Sequence, residues 1–196
     1  SACLPKVVCL MNSIYPIPSM NKKEYLSRNG YILRAPELND LDLMYQFENN
    51  SALWEGNATG PYSKYLLKQY IEQNRNDLYT DRQLRLMVTH GKEVVGMIDL
   101  CSFDPFHNRA EVGIVIAEAH RGKGIGHLSL QLLSEYCFGY LGIHQLYAYI
   151  DITNEASFRL FTGCGFKECA HLKDWIRSGS RYRDVKMVQL IPSACE

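Results

Sequence analysis

The sequence predicts one α/β domain built around a mixed sheet, in which parallel and antiparallel strands lie side by side. Residues 110–151 show a strand, a glycine-rich turn, a helix and a second strand, an order that requires a right-handed crossover between parallel strands. Ahead of them, "LRLMVTH" and "VVGMIDLCSF" flank "GKE" in a hairpin pattern, which predicts antiparallel neighbours. Ligands of such sheets bind beyond the carboxyl ends of the parallel strands, where the glycine-rich turn falls.

The length and composition are those of an ordinary globular domain with a sizeable core. The 196 residues include 46% hydrophobic and 21% charged residues, which fits one domain. Residues 1–29 have no clean periodicity and are predicted to form a partly ordered N-terminal arm. Residues 30–196 are therefore predicted to form the single domain.

Charge and cysteine usage argue against several classes of partner. Lys and Arg together number 21, as do Asp and Glu, so no global charge favours nucleic acid or an anionic membrane. The seven cysteines are odd in number and lack CxxC spacing, which indicates free thiols rather than a disulfide framework or a metal site. The segment "VVCLMNSI" is too short and polar for a membrane span, and a cytoplasmic location is predicted.

The first half of the domain is predicted to contain one strand followed by two helices. "YILRAP" is the strand, and "NDLDLMYQFENN" is a helix that begins after an N-cap at Asn39 or Asp40. Pro61 suits the start of the second helix, which runs through "YSKYLLKQYIEQNRN". The hairpin then leads into "AEVGIVIAE", the strand before the glycine-rich turn.

The second half begins with a long helix after that turn, in which Leu128, Leu132 and Leu133 recur at helical spacing. "HQLYAYID" follows as a strand, and "NEASFRLFTGCG" as a helix closed by a glycine. "FKECA" and "VKMVQLI" are predicted as the final strands.

The turn itself, "AHRGKGIGHL", places Gly122, Gly124 and Gly126 at every second position. Arg121 precedes the first glycine, and Lys123 lies between the first and the second. A helix that begins here presents unpaired N–H groups and the positive end of its dipole. Glycines have no Cβ atom, so a ligand can approach these amides closely. The pattern therefore predicts an anion site, most often one for phosphate.

Two linked motifs carry a family resemblance. The stretch from Arg121 to Gly126 resembles the Arg/Gln-x-x-Gly-x-Gly/Ala loop of the GNAT acetyltransferase superfamily, and "NEASFRLFTGCGF" resembles its Asn-x-x-Ser/Ala segment that ends in Gly-Phe. The resemblance covers about Tyr31 to Ile191 and lies nearest the branch of ribosomal-protein N-terminal acetyltransferases and bacterial spermidine acetyltransferases, with "FHNRAEVGIVI" in the manner of that branch. It implies a GNAT fold, whose mixed central sheet is splayed and has helices on both faces.

The resemblance implies acetyl-CoA as co-substrate, with its pyrophosphate on the amides of residues 121–126 and its pantetheine arm along the strand edge at Ile114 and Ile116. Asn154 bonds that arm, caps its helix, or does both. Arg121 and Lys123 either add charge-assisted contacts or point into solvent. The residues expected to contact acetyl-CoA are Ile114, Val115, Ile116, Arg121, Gly122, Lys123, Gly124, Ile125, Gly126, Asn154, Ser157 and Phe161.

Acetyl transfer to an amine requires a base, because an alkyl ammonium has a pKa near 10. Glu111 is the first candidate, since a charge within a strand is costly unless it faces a cleft; a salt bridge to Arg109 or a solvent-exposed position is the alternative. Asp99 is the second candidate by the same argument. Phe161, expected beside the thioester sulfur, occupies the position where many relatives carry a proton-donating Tyr. Either Tyr149, or Tyr147, replaces that donor, or the thiolate leaves without assistance.

The acceptor is predicted to be a cation. No Lys or Arg occurs between Arg34 and Lys64, a span that carries five acidic residues: Glu37, Asp40, Asp42, Glu48 and Glu55. On a helical projection Glu48 falls within an apolar stripe, so it is expected to turn toward the cleft and, with Glu111, to bind the amine. A solvated acidic helix face explains the same pattern.

The resulting hypothesis is an acetyl-CoA-dependent N-acetyltransferase that acts on a primary amine of a small molecule, such as a polyamine, or on a peptide N-terminus. A CoA-binding regulatory module without turnover and a transferase for a longer acyl group are the alternatives. Nucleic acid, membrane and metal are not expected as partners, and a homo-oligomer is compatible with the sequence.

Overall fold

A computed structural model describes residues 21–50 and 61–192, so residues 1–20 of the predicted arm and Glu55 lie outside the described residues. The helices and strands that the sequence predicts are present in the predicted order, together with three short elements that it does not predict. The helices are α1 Lys22–Tyr25, α2 Leu41–Glu48, α3 Lys64–Gln73, α4 Leu78–Asp81, α5 Ile125–Glu135 and α6 Glu155–Gly163. The strands are β1 Ser27–Arg28, β2 Tyr31–Arg34, β3 Leu84–His90, β4 Glu93–Asp104, β5 Arg109–Ile116, β6 Gln145–Asp151, β7 Lys167–Ser178 and β8 Arg181–Leu190.

In the part of the chain that the structure describes, eight strands form one sheet in the order β1-β2-β3-β4-β5-β6-β8-β7. Strands β5 and β6 are parallel and are joined through α5, whereas every other neighbouring pair is antiparallel. The predicted mixed sheet with its crossover is thereby confirmed.

The sheet is covered on both faces. Alternate residues of β5, Ala110 and Val112, are buried in the main core together with Leu130 of α5. Val115 points to the opposite face and packs against a smaller cluster that contains Met44 of α2. Strand β5 therefore has one face toward α5 and the other toward α2.

The two parallel strands stay together over a short distance only. Pairing between β5 and β6 covers Arg109–Glu111 and Gln145–Tyr147, and no pairing is found between Val112–Ile116 and the end of β6. The splayed sheet that the family resemblance implies is thus present, and it leaves one edge of β5 open over its last five residues.

Several details differ from the expectations. The strands of the final hairpin, β7 and β8, extend beyond the predicted segments "FKECA" and "VKMVQLI". The sequence underestimates them because most of the added residues are not buried and lack the apolar alternation that marks a strand. Helices α1 and α4 and strand β1 were not predicted, since two to four residues are too few to show a period. Asp40 precedes α2, but its carboxylate accepts the Glu37 N–H at 2.8 Å and binds Arg34 at 2.7 Å instead of capping α2.

Residues 22–28, within the predicted arm, pack onto the domain, although the boundary at residue 29 stays a prediction. Tyr25 is buried in the main core beside Gly139. Among the described residues, no helix has both the length and the hydropathy needed to cross a bilayer. The cytoplasmic location stays a prediction.

Replacing Gly139 tests the packing of this N-terminal segment. A Cβ atom at Gly139 would lie 2.7 Å from Tyr25 Cε1, and the buried ring has little room to move. We expect Gly139→Ala to lower the free energy of unfolding by about 1–3 kcal/mol, as overpacking does. Urea denaturation measures it, and in a Tyr25→Leu background the same substitution should cost much less. Equal costs in the two backgrounds would contradict this packing.

Candidate active site

A cleft of about 940 Å³ opens where β5 and β6 diverge. It extends from the open edge of β5, past the glycine-rich turn, to the start of α6. Ten of the twelve residues predicted to contact acetyl-CoA line it: Ile114, Val115, Ile116, Arg121, Gly122, Gly124, Ile125, Gly126, Asn154 and Ser157. Tyr149 also lines the cleft, whereas Lys123 and Phe161 are not among its wall residues. The contacts with the co-substrate stay predictions.

The three glycines of the turn are required for two different reasons, backbone conformation and close packing. Gly122 and Gly124 have φ values of +72° and +77°, a left-handed conformation that residues with a Cβ atom rarely adopt. Gly124 is the N-cap of α5, and the first helical hydrogen bond runs from the Leu128 N–H to its carbonyl at 3.1 Å. Gly126 instead permits close helix packing, because a Cβ atom there would lie 3.2 Å from Leu160 Cδ2.

The two basic side chains of the turn bind the protein backbone. Arg121 Nε donates to the Ile116 carbonyl at 3.0 Å, and Lys123 Nζ donates to the Ala119 carbonyl at 2.9 Å. These bonds tie the turn to the end of β5. Arg121 also lines the cleft, as do Gly124 and Gly126 at the start of α5.

Asn154 caps α6. Its Oδ1 accepts the Ser157 N–H at 3.0 Å, so the structure realises the capping alternative. Asn154 also lines the cleft. Because the carboxamide oxygen bonds the helix, a contact with the co-substrate would use the side-chain NH2 group.

Phe161 lies in the main core rather than on the cleft wall. Its side chain is 2% exposed and packs edge-to-face on Phe166, with ring centroids 5.0 Å apart. Successive helical residues point about 100° apart, and in α6 the preceding residue, Leu160, faces the cleft. The predicted position of Phe161 beside the thioester sulfur therefore has no support in this geometry, whereas Tyr149 does reach the cleft.

Glu111 sits on β5 between Cys101 of β4 and Tyr147 of β6. Burial raises the pKa of its carboxyl, and a hydrogen bond with Ser102 opposes that shift. The alternative salt bridge with Arg109 is not formed, because Arg109 pairs with Asp104 at 3.4 Å. Glu111 is therefore a half-buried carboxylate in the middle of the sheet, which is the environment of a strengthened base.

Asp99 and Glu48 have a partner that the sequence analysis did not identify. Arg85 of β3 donates to Asp99 from Nη2 at 2.7 Å and from Nε at 3.0 Å, and to Glu48 from Nη1 at 2.5 Å. Its guanidinium also lies over the Tyr70 ring, 5.5 Å from the centroid. Burial lowers the pKa of Arg85, but the charges of the two carboxylates outweigh it, so the pKa is raised.

This cluster corrects two expectations. Glu48 does turn inward from α2, as the helical projection predicts, but it meets an arginine instead of an open cleft. Asp99 is held in a bidentate ion pair with Arg85, so both of its carboxylate oxygens are already engaged by an arginine. The hairpin register could have revealed the pair, because Arg85 lies directly opposite Asp99 in the β3–β4 ladder.

The acidic stretch is largely neutralised in the fold. Asp40 pairs with Arg34 and Asp42 pairs with Lys64, each at 2.7 Å. With Glu48 bound to Arg85, three of the five acidic residues have basic partners. The sequence left two alternatives for these residues, a solvated acidic face and an anionic acceptor site. In both, the negative charge is smaller than expected, because basic side chains bind three of the carboxylates.

Comparison with known proteins agrees with the cleft and its glycine-rich turn. Residues 31–167 match the family described as Acetyltransferase (GNAT) domain, so the chain belongs to that family. The fold and the co-substrate cleft thus define an acetyl-CoA-dependent N-acetyltransferase, as predicted.

Particular relatives are spermidine acetyltransferases. The chain is 28% identical over 162 residues to spermidine N(1)-acetyltransferase of Vibrio cholerae, which covers 82% of this chain and 92% of that protein. The structure of the Vibrio cholerae spermidine N-acetyltransferase in complex with CoA and spermine has a TM-score of 0.74 and 28% identity, covering 84% of this chain and 96% of that one. A dodecameric structure of the same enzyme in an intermediate state has a TM-score of 0.70 and 28% identity, with coverage of 84% and 95%.

Substitution of Gly124 tests the phosphate loop. A valine there combines a left-handed backbone with a branched side chain at the amides of α5, so we expect Gly124→Val to raise the Kd for acetyl-CoA at least about tenfold. Gly142→Val is a matched control, because Gly142 has φ +67°, open space around its Cβ position and no place in the cleft wall. Calorimetric titration of both variants decides: equal acetyl-CoA affinities would contradict the assignment.

Removal of Arg85 tests the buried ion cluster. Arg85→Met leaves Glu48 and Asp99 with like charges and without their common partner, and such a loss costs about 3 kcal/mol or more of folding free energy. In Arg85→Met/Asp99→Leu we expect part of that stability to return, because one uncompensated carboxylate is removed. Urea unfolding measures the stability of both variants. If Arg85→Met is as stable as the parent, Arg85 does not stabilise the fold through Glu48 and Asp99.

Proposed function

We propose that this enzyme transfers the acetyl group of acetyl-CoA to a primary amine of a polyamine. The observation that carries the proposal is the alignment of most of the chain with a structure that holds CoA and spermine together. The names of the curated relatives point to the same acceptor class. A peptide N-terminus is the second candidate, since another relative of this chain is named a putative ribosomal N-acetyltransferase.

The cleft has the features that acetyl-CoA requires. The amides of residues 125–127 precede the first hydrogen bond of α5, so they have no partner within the helix. Gly122 and Gly124, which have positive φ values, place no Cβ atom in front of them. The open edge of β5 offers backbone groups to the pantetheine amides. Because the Ile116 carbonyl already accepts Arg121, the backbone of Ile114 is the better partner. Bound acetyl-CoA supplies the activated acetyl group.

Space for the acceptor lies on the other face of the sheet. Gly113 is two residues from Glu111 on the same strand, and so lies on the same face. A Cβ atom at Gly113 would meet nothing within 4 Å, which leaves room above the strand beside the cleft. We assign this space to the amine that is acetylated.

Glu111 is the proposed base. It lies about 7 Å from Gly113 along the strand, so a water molecule between carboxylate and amine is needed to carry the proton. Burial makes Glu111 a stronger base than an exposed glutamate. Asp99 does not compete, because its carboxylate is bound to Arg85.

A homo-oligomer is part of the proposal, supported by the dodecamer reported for the Vibrio cholerae enzyme. The substrate class is tested by release of free CoA thiol from acetyl-CoA. The panel contains spermidine, 1,4-diaminobutane, an aminoglycoside and a short peptide with a free N-terminus. We expect turnover with the polyamines; turnover with the peptide alone would assign the second candidate, and hexanoyl-CoA in place of acetyl-CoA tests transfer of a longer acyl group.

Glu111→Gln tests the base. Loss of a general base typically costs about 100-fold or more in kcat, while the Kd for acetyl-CoA should stay near that of the parent. A base works when deprotonated, so kcat of the parent should fall as the pH drops through the Glu111 pKa, which burial places above the usual glutamate value. That acidic limb should disappear in the variant. If kcat and the limb both persist, another group or solvent takes the proton.

A further inference from the structure

Three aromatic side chains form a row on the acceptor face of the sheet. Tyr147 and Tyr149 of β6 contact each other edge to face, with ring centroids 5.7 Å apart. Trp175 of β7 stacks on Tyr149 with centroids 5.9 Å apart and an interplanar angle of 30°. We call Tyr147, Tyr149 and Trp175 the aromatic row.

The row begins at the proposed base. Glu111 and Tyr147 are direct register partners on adjacent parallel strands, and their alternation with Ala110 and Leu146, which are in the main core, places both on the opposite face. Tyr149 follows on that face and lines the co-substrate cleft. The aromatic row therefore leads from Glu111, past the cleft, to the surface.

A β-bulge directs Trp175 to the end of this row. The register of β7 against β8 shifts between Leu172 and Ile176, and within the bulge Asp174 has φ +50° and donates its N–H to Asp184 Oδ1 at 2.9 Å. Bulges commonly re-aim a side chain next to a functional site. Here the bulge carries Trp175 across β8 onto Tyr149, although 55% of the tryptophan surface remains exposed.

Two of the carboxylates on this face are bound to an arginine, which leaves Glu111 and the aromatic faces to bind a cation. Glu48 and Asp99 are both bound to Arg85. Arg183, which lines the same cleft, is paired with Asp151 at 2.7 Å, so its repulsion of a cation is reduced. Aromatic faces attract ammonium groups through the ring quadrupole, and tryptophan does so best.

We propose that the aromatic row binds the ammonium groups of a polyamine that are not being acetylated, and so selects acceptors with a second positive charge. This inference rests on the proposed function. The ring-to-ring steps of 5.7 and 5.9 Å are comparable with the spacing of neighbouring amines in a polyamine. With the reacting amine in the space above Gly113, the next ammonium group meets Tyr149 or Trp175.

The test compares acceptors with and without a distal charge. 1,4-Diaminobutane and n-butylamine both offer a primary amine on a four-carbon chain, and only the first has a second ammonium. Trp175→Leu keeps apolar bulk but removes the π face, whereas Trp175→Phe keeps a smaller one. Tyr182→Leu is the matched control, because Tyr182 lies on the same hairpin and is 57% exposed.

In Trp175→Leu, kcat/KM for 1,4-diaminobutane and spermidine should fall about fivefold, within the range of cation–π contacts, and Trp175→Phe should retain part of it. The value for n-butylamine and the Kd for acetyl-CoA should change less than about twofold, as should every value in Tyr182→Leu. An equal loss for n-butylamine would overturn the inference, because a hydrophobic or structural role of Trp175 explains it.

Binding without turnover separates this inference from the proposed function. Spermidine is titrated into the full chain with CoA present, and its Kd is compared between the parent and Trp175→Leu. A Kd that depends on Trp175 without acetylation of spermidine would refute the polyamine function and keep the binding site. Acetylation of spermidine with a Kd independent of Trp175 would refute the aromatic row alone, and absence of binding would refute both.

Discussion

Beyond three paired residues, β5 and β6 stop bonding to each other, and this divergence creates the site. An unpaired strand edge inside a protein is costly unless something completes its hydrogen bonds. An extended ligand with amide groups can do so, and the glycine-rich turn follows directly at the end of the same strand. The open edge and the helix N-terminus thus form one continuous binding surface, one part for amides and the other for an anion.

The divergence also determines where chemistry takes place. Val112–Ile116 has one face in the main core and the other under α2 and α3, so a thioester held at its edge is accessible from the second face. Glu111 and Gly113 lie on that face, one as a half-buried carboxylate and the other as open space. The position of the proposed base and the proposed acceptor space next to the cleft is a consequence of strand alternation.

Arg85 changes the electrostatics of this face. Without it, Glu48, Asp99 and Glu111 would place three carboxylates under α2 and α3, and burying them without partners would oppose folding. Arg85 binds Glu48 and Asp99, whereas Glu111 has no arginine partner among the described residues and burial raises the pKa of its carboxyl. In the proposed acceptor site, a cation is recognised by Glu111 and by aromatic faces, which need no counterion.

The sequence by itself determined the order of the elements, the crossover and the glycine-rich turn, because these depend on the backbone preferences and periodicity of neighbouring residues. Ten of the predicted co-substrate residues accordingly line one cleft. Only the tertiary structure decided that Arg85 binds Glu48 and Asp99, that Phe161 is in the core and that a bulge places Trp175 on Tyr149. The contacts of Arg85 with Glu48 and of Trp175 with Tyr149 join separate segments of the chain. All of these positions depend on strand register and side-chain direction, which local sequence patterns do not encode.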